Sequence, residues 1–326
     1  MFFFKRIILL IFTILLASFA SADAFNFIFS GGPDGGTFNP FARGITDYVN
    51  ANSELKIKTE PSSGSVDNLQ KVNNRVADLG ITYSGDLYLG RNGFLGGSRS
   101  RQYRNVHALA YLYGAPAHLI VLKNSEINSV KDLAGGKKVA IGRVGSGAAA
   151  AGKRFFMAMG VWSDIQPQFL GYTEGAEALI ANEVDALWVF AGFPNASVTR
   201  AASMKSIKLL PVYEEAKENG KFFEDFPFYQ KVVIPAGTYQ GIDEDINSFQ
   251  DSTILTASKR APASFVKTVL DLVYTKEGLE HLVKLKSTAK AMSLDSGTTG
   301  IVTPMHKGAI EFWQEKGKAL TEEQIN

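Results

Sequence analysis

Three short clusters in this 326-residue sequence could do chemistry: Gly35-Gly36-Thr37, Ser63-Gly64-Ser65 and Gly145-Ser146-Gly147. Each follows a run that reads as a strand and precedes a helical pattern. Glycines let the backbone turn its amides toward a guest. The unpaired N–H groups of a helix's first turn carry partial positive charge. Such a junction receives a small anion, a carboxylate or a phosphate. The same residues also make an ordinary tight β–α turn, and Ser63 and Ser65 need be no more than helix caps, so the clusters alone leave both readings open.

Several side chains stand close to these clusters. Phe38 follows Thr37, and Ala148 follows Gly147. Arg143 lies inside the third cluster's loop and could pair with a carboxylate through its planar fork, or be solvated at a loop edge. Tyr83 and Phe193 fall just beyond the ends of strand-like runs and offer flat apolar walls, Tyr83 with a hydrogen-bonding tip. Tyr113, Trp188 and Tyr239 also lie near the rims, where core packing explains them equally well. His118 ends a turn after Tyr113 and could point into a cleft, although a lone histidine near a strand is more often structural.

Other chemistries lack their residues. Gly145-Ser146-Gly147-Ala148-Ala149-Ala150 fits GxGxxA, but the next strand-like run, Phe169-Leu170-Gly171-Tyr172, ends without the acidic residue a dinucleotide site requires. No GxxxxGK[ST] or GxSxG occurs. The four histidines, His107, His118, His281 and His306, show no metal-ligand spacing, and without cysteine there is neither a disulfide nor a thiolate site. No nucleophile–base pair stands out. The sequence therefore points to a protein that is not an enzyme and needs no cofactor.

The elements that must position the clusters repeat. Phe25 to Phe29 reads as a strand, the helix after it carries Phe38, Phe41, Ile45 and Val49, and Leu55 to Thr59 and Leu79 to Tyr83 are two further strands. About 110 residues later Lys138 to Ile141, a helix from Ala148 to Met159, and Val184 to Phe190 follow the same order. Gly36-Thr37 answers to Gly147-Ala148, and Asp78 to Asp185. Two similar β–α–β–α–β lobes follow one another, each with a glycine loop where α/β sheets receive ligands. Val106 to Leu112 and His118 to Leu122 read as two strands separated by Tyr113-Gly114-Ala115-Pro116. Tyr88 to Arg101 and the aromatic-rich Lys221 to Tyr229 read as exposed loops. Helices after Pro262 have no partner in the repeat and should pack back on the first lobe, so the chain crosses between lobes twice. The expected division is residues 23–117 with 240–326 for lobe 1, and 118–239 for lobe 2.

Lys5 and Arg6, the apolar run Ile7 to Ala20 and the small residues Ala20-Ser21-Ala22 read as a cleaved signal peptide over residues 1–22, with Ala24 an equally acceptable cleavage point. The apolar run is shorter than the roughly 20 residues of a membrane span. Without Lys5 and Arg6, 32 basic residues face 32 acidic ones, a balance that gives nucleic acid no basic surface. About 300 mature residues exceed one usual core, which again favours two lobes.

Further motifs appear in order: Gly35-Gly36-Thr37-Phe38, Ser63-Gly64-Ser65-Val66-Asp67-Asn68-Leu69, Ala77-Asp78-Leu79-Gly80-Ile81, Leu133-Ala134-Gly135-Gly136-Lys137-Lys138-Val139, Gly145-Ser146-Gly147, Ile234-Pro235-Ala236-Gly237-Thr238-Tyr239 and His306-Lys307-Gly308-Ala309. Together they resemble the TAXI-type solute receptors of tripartite ATP-independent periplasmic (TRAP) transporters over essentially the whole mature chain. The resemblance implies an α/β type II periplasmic binding protein, two similar lobes joined by hinge strands, with the ligand in the cleft. It implies a periplasmic, monomeric receptor that delivers a small carboxylate or amino acid, such as glutamate or 2-oxoglutarate, to TRAP membrane subunits. A sensor presenting the same closed form to a signalling kinase is the alternative. Carried over by position, the ligand site falls on Gly36, Thr37, Phe38, Ser63, Gly64, Ser65, Tyr83, Gly145 to Ala148 and Phe193. Pro33-Asp34 enlarges the first loop relative to the compact GTGGTY form, and Ala148 stands where the resembled proteins often have threonine. Arg143 and Trp188 also depart from the pattern. Asp34, in an anion loop, is expected to face solvent.

Overall fold

A computed structural model describes residues 27–33, 35–95 and 101–326. The proposed signal peptide and Asp34 lie outside the described residues. The first half contains strands β1 (Phe27–Ser30), β2 (Ile57–Glu60) and β3 (Leu79–Tyr83), with helices α1 (Phe38–Asn52), α2 (Ser65–Asn73) and α3 (Ser84–Asn92). Strand β4 (Val106–Leu122) leads into the second half. There lie β5 (Lys138–Ala140), α4 (Gly147–Ala158), β6 (Gln166–Gln168), α5 (Tyr172–Ile180), β7 (Ala186–Phe190), α6 (Ala196–Met204), β8 (Ile207–Leu210) and α7 (Val212–Glu218). The chain returns through α8 (Phe222–Asp225), β9 (Gln230–Ile234) and β10 (Ile246–Ser258), and closes with α9 (Ala263–Val273), α10 (Lys276–Leu285), α11 (Lys307–Glu315) and α12 (Glu322–Ile325).

The strands form one curled sheet in the order β2-β1-β3-β10-β4-β7-β5-β6, with β8 on β4 and β9 on β10. Pairing is parallel between β1 and its neighbours β2 and β3, and between β5 and its neighbours β6 and β7. It is antiparallel wherever β4 or β10 takes part. The repeat read in the sequence has a structural signature. Asp78 accepts the Ile28 amide at 2.8 Å while its own amide donates to the Ile28 carbonyl, and Asp185 does the same with Lys138. In each half an aspartate opening the last parallel strand ties that strand to the first.

Helix α1 lies against this sheet by one apolar stripe. Phe38, Phe41, Ala42, Ile45 and Val49 of α1 are buried at helical spacing. The closing helices do pack back on the first half: Phe265 stacks on Phe27 with ring centroids 3.6 Å apart, and the Trp313 indole donates to the Leu109 carbonyl at 2.8 Å.

Four local expectations are corrected. Tyr113-Gly114-Ala115-Pro116 is no break, because β4 continues through it along β10, pairing Gly114 with Ser252 and Pro116 with Gln250. At Gly114 the end of the Gln250 side chain fills the space a Cβ would take. Tyr88 to Asn92, the start of the stretch read as an exposed loop, belong to a helix that begins at Ser84 and buries Leu87 and Leu89. Phe169-Leu170-Gly171-Tyr172 is no strand: β6 precedes it and Tyr172 begins α5. Phe222, Phe228 and Tyr229 are buried, with Phe222 and Tyr229 both 5.0 Å from the Phe249 ring.

Candidate functional site

The carboxyl ends of the parallel strands in the two halves face each other across a cavity. Four helix N-termini reach it, two from each half: the cap residues Thr37 of α1, Gly64 of α2, Ser146 of α4 and Gly171 of α5 all line the wall. Gly64 holds φ at 120°, a backbone state that a side chain would strain. First-turn amides have no partner within their own helix, so the cavity presents donors and partial positive charge from both sides. The space left for the centre of a water molecule is about 30 Å³, room for roughly two waters. The halves are thus closed on each other.

From the first half, Pro33, Gly36, Phe38, Ser63, Ser65 and Tyr83 also contribute, and from the second Arg143, Gly147 and Ala148. The Ser65 hydroxyl turns away from the cavity: it donates to Asp86 Oδ2 at 2.6 Å, lies 2.7 Å from Thr82 Oγ1, and accepts the Tyr83 amide at 3.0 Å. What Ser65 can offer a ligand is its backbone. The Tyr83 phenol crosses to the second half and donates to the Phe190 carbonyl, which also accepts Tyr172 Oη at 2.7 Å. Burial pushes the Tyr83, Tyr113 and Tyr172 phenols above their ordinary value, so all three remain neutral; Tyr83 and Tyr172 spend their protons on the Phe190 carbonyl.

Two lining hydroxyls are unsatisfied. Thr37 Oγ1 makes no bond to its own helix, and it and Tyr113 Oη are buried. Tyr113 Oη faces the Thr37 and Thr253 hydroxyls, yet none of the three has a hydrogen bond of acceptable geometry among the described residues. Buried polar groups are rarely left so, and the cavity is where Thr37 and Tyr113 could find a partner.

Gly147 sits on the seam. A Cβ there would come to 2.7 Å from Ser65 Cβ and closer still to the Tyr83 ring. Beside it, the Gly145 carbonyl accepts the Asp67 amide at 3.1 Å, a backbone bond between the halves, although Gly145 is not part of the cavity wall. Arg143 is on the wall, but its guanidinium pairs with Glu174 at 2.6 Å, both about half exposed. Glu174 also takes the Gly171 amide at 2.7 Å, and these two donors hold its carboxyl below the usual range.

His118 and Phe193 are placed elsewhere. Phe193 packs beside the second half's core cluster. His118 is buried in β4, with Nδ1 3.0 Å from the Pro116 carbonyl and Nε2 3.0 Å from Tyr239 Oη. Reading Tyr113-Pro116 as a turn put His118 at a strand's mouth; once β4 is continuous it becomes an interior residue. Burial pushes its pKa down to about 4. The unfolded imidazole titrates near 6.5, so between about pH 6.5 and 4 the unfolded chain binds a proton that the folded one refuses. Stability is lost across that window as pH falls, by about 3 kcal/mol at its lower end. Thermal unfolding from pH 7 to 4 should show a shallower decline for His118→Gln than for the parent, and equal slopes would contradict this.

Tyr172, Gly171 and Ala191 on the wall were not singled out from the sequence, Gly142 was read only as part of the second glycine loop, and Tyr113 was noted only as one of several aromatics. Gly171 lay in a supposed strand; the Glu174 three residues on, a capping acid, was the signal for a helix start. Among the described residues no group of three acidic or histidine side chains is placed to hold a metal ion. No helix among them is long and apolar enough to cross a membrane.

Two α/β halves, two long strands passing between them and a cavity at the facing strand ends define the type II periplasmic binding protein fold. MatC from Rhodopseudomonas palustris, solved with bound malate, shares it with a TM-score of 0.54 at 17% identity over 81% of this chain and 88% of that one. The alkanesulfonate-binding protein SsuA from Xanthomonas axonopodis pv. citri, bound to MOPS, gives 0.49 at 15% identity over 91% and 92%. The chain belongs to the NMT1-like family, whose model matches residues 29–317.

Proposed function

We propose that this protein is a periplasmic solute receptor that captures a small carboxylate and delivers it to TRAP membrane subunits. The observation that carries the reading is the convergence of helix N-termini from both halves on one cavity that also holds the buried, unpartnered Thr37 and Tyr113 hydroxyls. A carboxylate bridging the helix starts gains contacts in the closed form that either half alone cannot supply, so ligand adds to whatever preference the protein has for closure. The TAXI-like motifs support the TRAP assignment and the N-terminal signal supports export. The malate in MatC suggests where a ligand search should begin. No step of chemistry is needed: the receptor binds and releases.

Refolding the protein first removes any ligand carried through purification. Isothermal titration with malate, succinate, 2-oxoglutarate, L-glutamate and L-glutamine should then give saturable heat with at least one of them. No heat with any small carboxylate would overturn the reading.

A further inference from the structure

Behind the cavity a second polar cluster joins the halves. Asp86, on α3, has a fully buried side chain, and Arg154, on α4, is only 10% exposed; they meet at 2.9 Å. The other Asp86 oxygen takes the Ser65 hydroxyl. Arg154 Nε also donates to Tyr229 Oη at 3.0 Å, while its Nη1 is buried with no partner among the described residues. Among the described residues one further acidic side chain faces the pair: Asp251 of β10, which takes the Gly85 amide at 3.1 and 3.2 Å. Burial, and then the neighbouring Asp86, push the Asp251 carboxyl up toward its neutral form.

We infer that Asp86 and Arg154 are positioning residues for the ligand site: a latch across the two halves that holds them closed before ligand arrives and sets Ser65 at the start of α2. The inference rests on the reading of the protein as a receptor that opens and closes. Geometry supports it in two ways. The pair's members come from opposite halves, so separation must break it. Ser65 is bonded to the latch through its side chain and is itself part of the cavity wall, so the latch and the start of α2 move as a unit. A buried ion pair is poorly replaced by one of its members alone: the remaining charge stays unpaired in the closed form and is relieved by opening to water.

Small-angle scattering of refolded, ligand-free protein tests this, with Gly147→Ala, whose methyl obstructs the seam, as the open reference. Arg154→Met should lower the closed-to-open ratio by about a hundredfold or more, raising the radius of gyration to that of the reference. The double variant Asp86→Leu with Arg154→Met should return toward the parent, a non-additivity that a merely structural pair would not produce. A cooperative melt confirms that each variant folds. If Arg154→Met does not fold, Arg154→Lys, which keeps the charge but loses the planar fork, is scored on the same scale. An Arg154 variant as compact as the parent, or a ligand-free parent already as extended as Gly147→Ala, would overturn the latch. The readout needs no ligand. An inert carboxylate panel alongside an opened Arg154→Met would therefore sink the carboxylate reading and leave the latch standing, and the reverse pattern would do the opposite.

Discussion

Gly147→Ala should abolish tight ligand capture while leaving the fold intact. The added methyl would sit 2.7 Å from Ser65 Cβ and within the Tyr83 ring's own space. Both obstacles belong to the other half and both are buried. Neither can step aside cheaply, because Ser65 is held by Asp86 and the Tyr83 phenol by the Phe190 carbonyl. The least costly relief is for the halves to part, which separates the donors that the proposed carboxylate would bridge. Within its own helix, alanine at the first position of α4 is a better helix former than glycine by up to about 1 kcal/mol. The expected result is an affinity at least a hundredfold lower, on the scale of an overpacked contact of about 3 kcal/mol, with a cooperative melt retained but shifted to lower temperature in the ligand-free protein, because the helix gain offsets only part of the lost closed form. Titration and thermal unfolding of the same preparation decide it, and undiminished affinity would show that the seam is not closed in the bound state.

Tyr113→Phe should raise stability while lowering affinity. The hydroxyl is buried without a bond of acceptable geometry, so removing it from ligand-free protein relieves an unsatisfied group and should raise stability by about 1 kcal/mol. A ligand that satisfies that hydroxyl loses its partner in the variant, and affinity should fall by about tenfold to a hundredfold. Thr37→Val should behave alike, since its hydroxyl shares the wall and the same lack of a bond. Denaturant unfolding and titration measure the two effects independently. A destabilised Tyr113→Phe with full affinity would place the hydroxyl in the core's service instead.

The positions of Gly36, Gly64 and Gly147 at helix starts were legible in the sequence because strand–glycine–helix junctions are local: a few neighbouring residues dictate them. Asp78 and Asp185 were legible as a repeat, and the structure supplies the reason, since each closes the same pair of backbone bonds. What the sequence hid depends on partners far along the chain. Gly114 and Pro116 break a strand by local preference, yet β10 runs beside them and the Gln250 side chain occupies the space a Cβ would need. Lys221 to Tyr229 carries its aromatics between charged residues, a surface pattern, until Phe249 of a strand about 25 residues later gives them something to pack on. The Ser65 hydroxyl looked like a ligand contact because nothing local says that Asp86 claims it.

Strands β4 and β10 lie side by side in opposite directions, and each serves both halves of the sheet. Two strands joined by a ladder of backbone bonds resist sliding, since a slip of one residue turns every side chain to the wrong face, but they twist with little loss. In the proposed cycle the relation between the halves therefore reduces to a single rotation. A membrane partner would sense that one coordinate and nothing of the solute's chemistry. Selection is completed inside the cavity, and every solute that permits the full turn sends the same message.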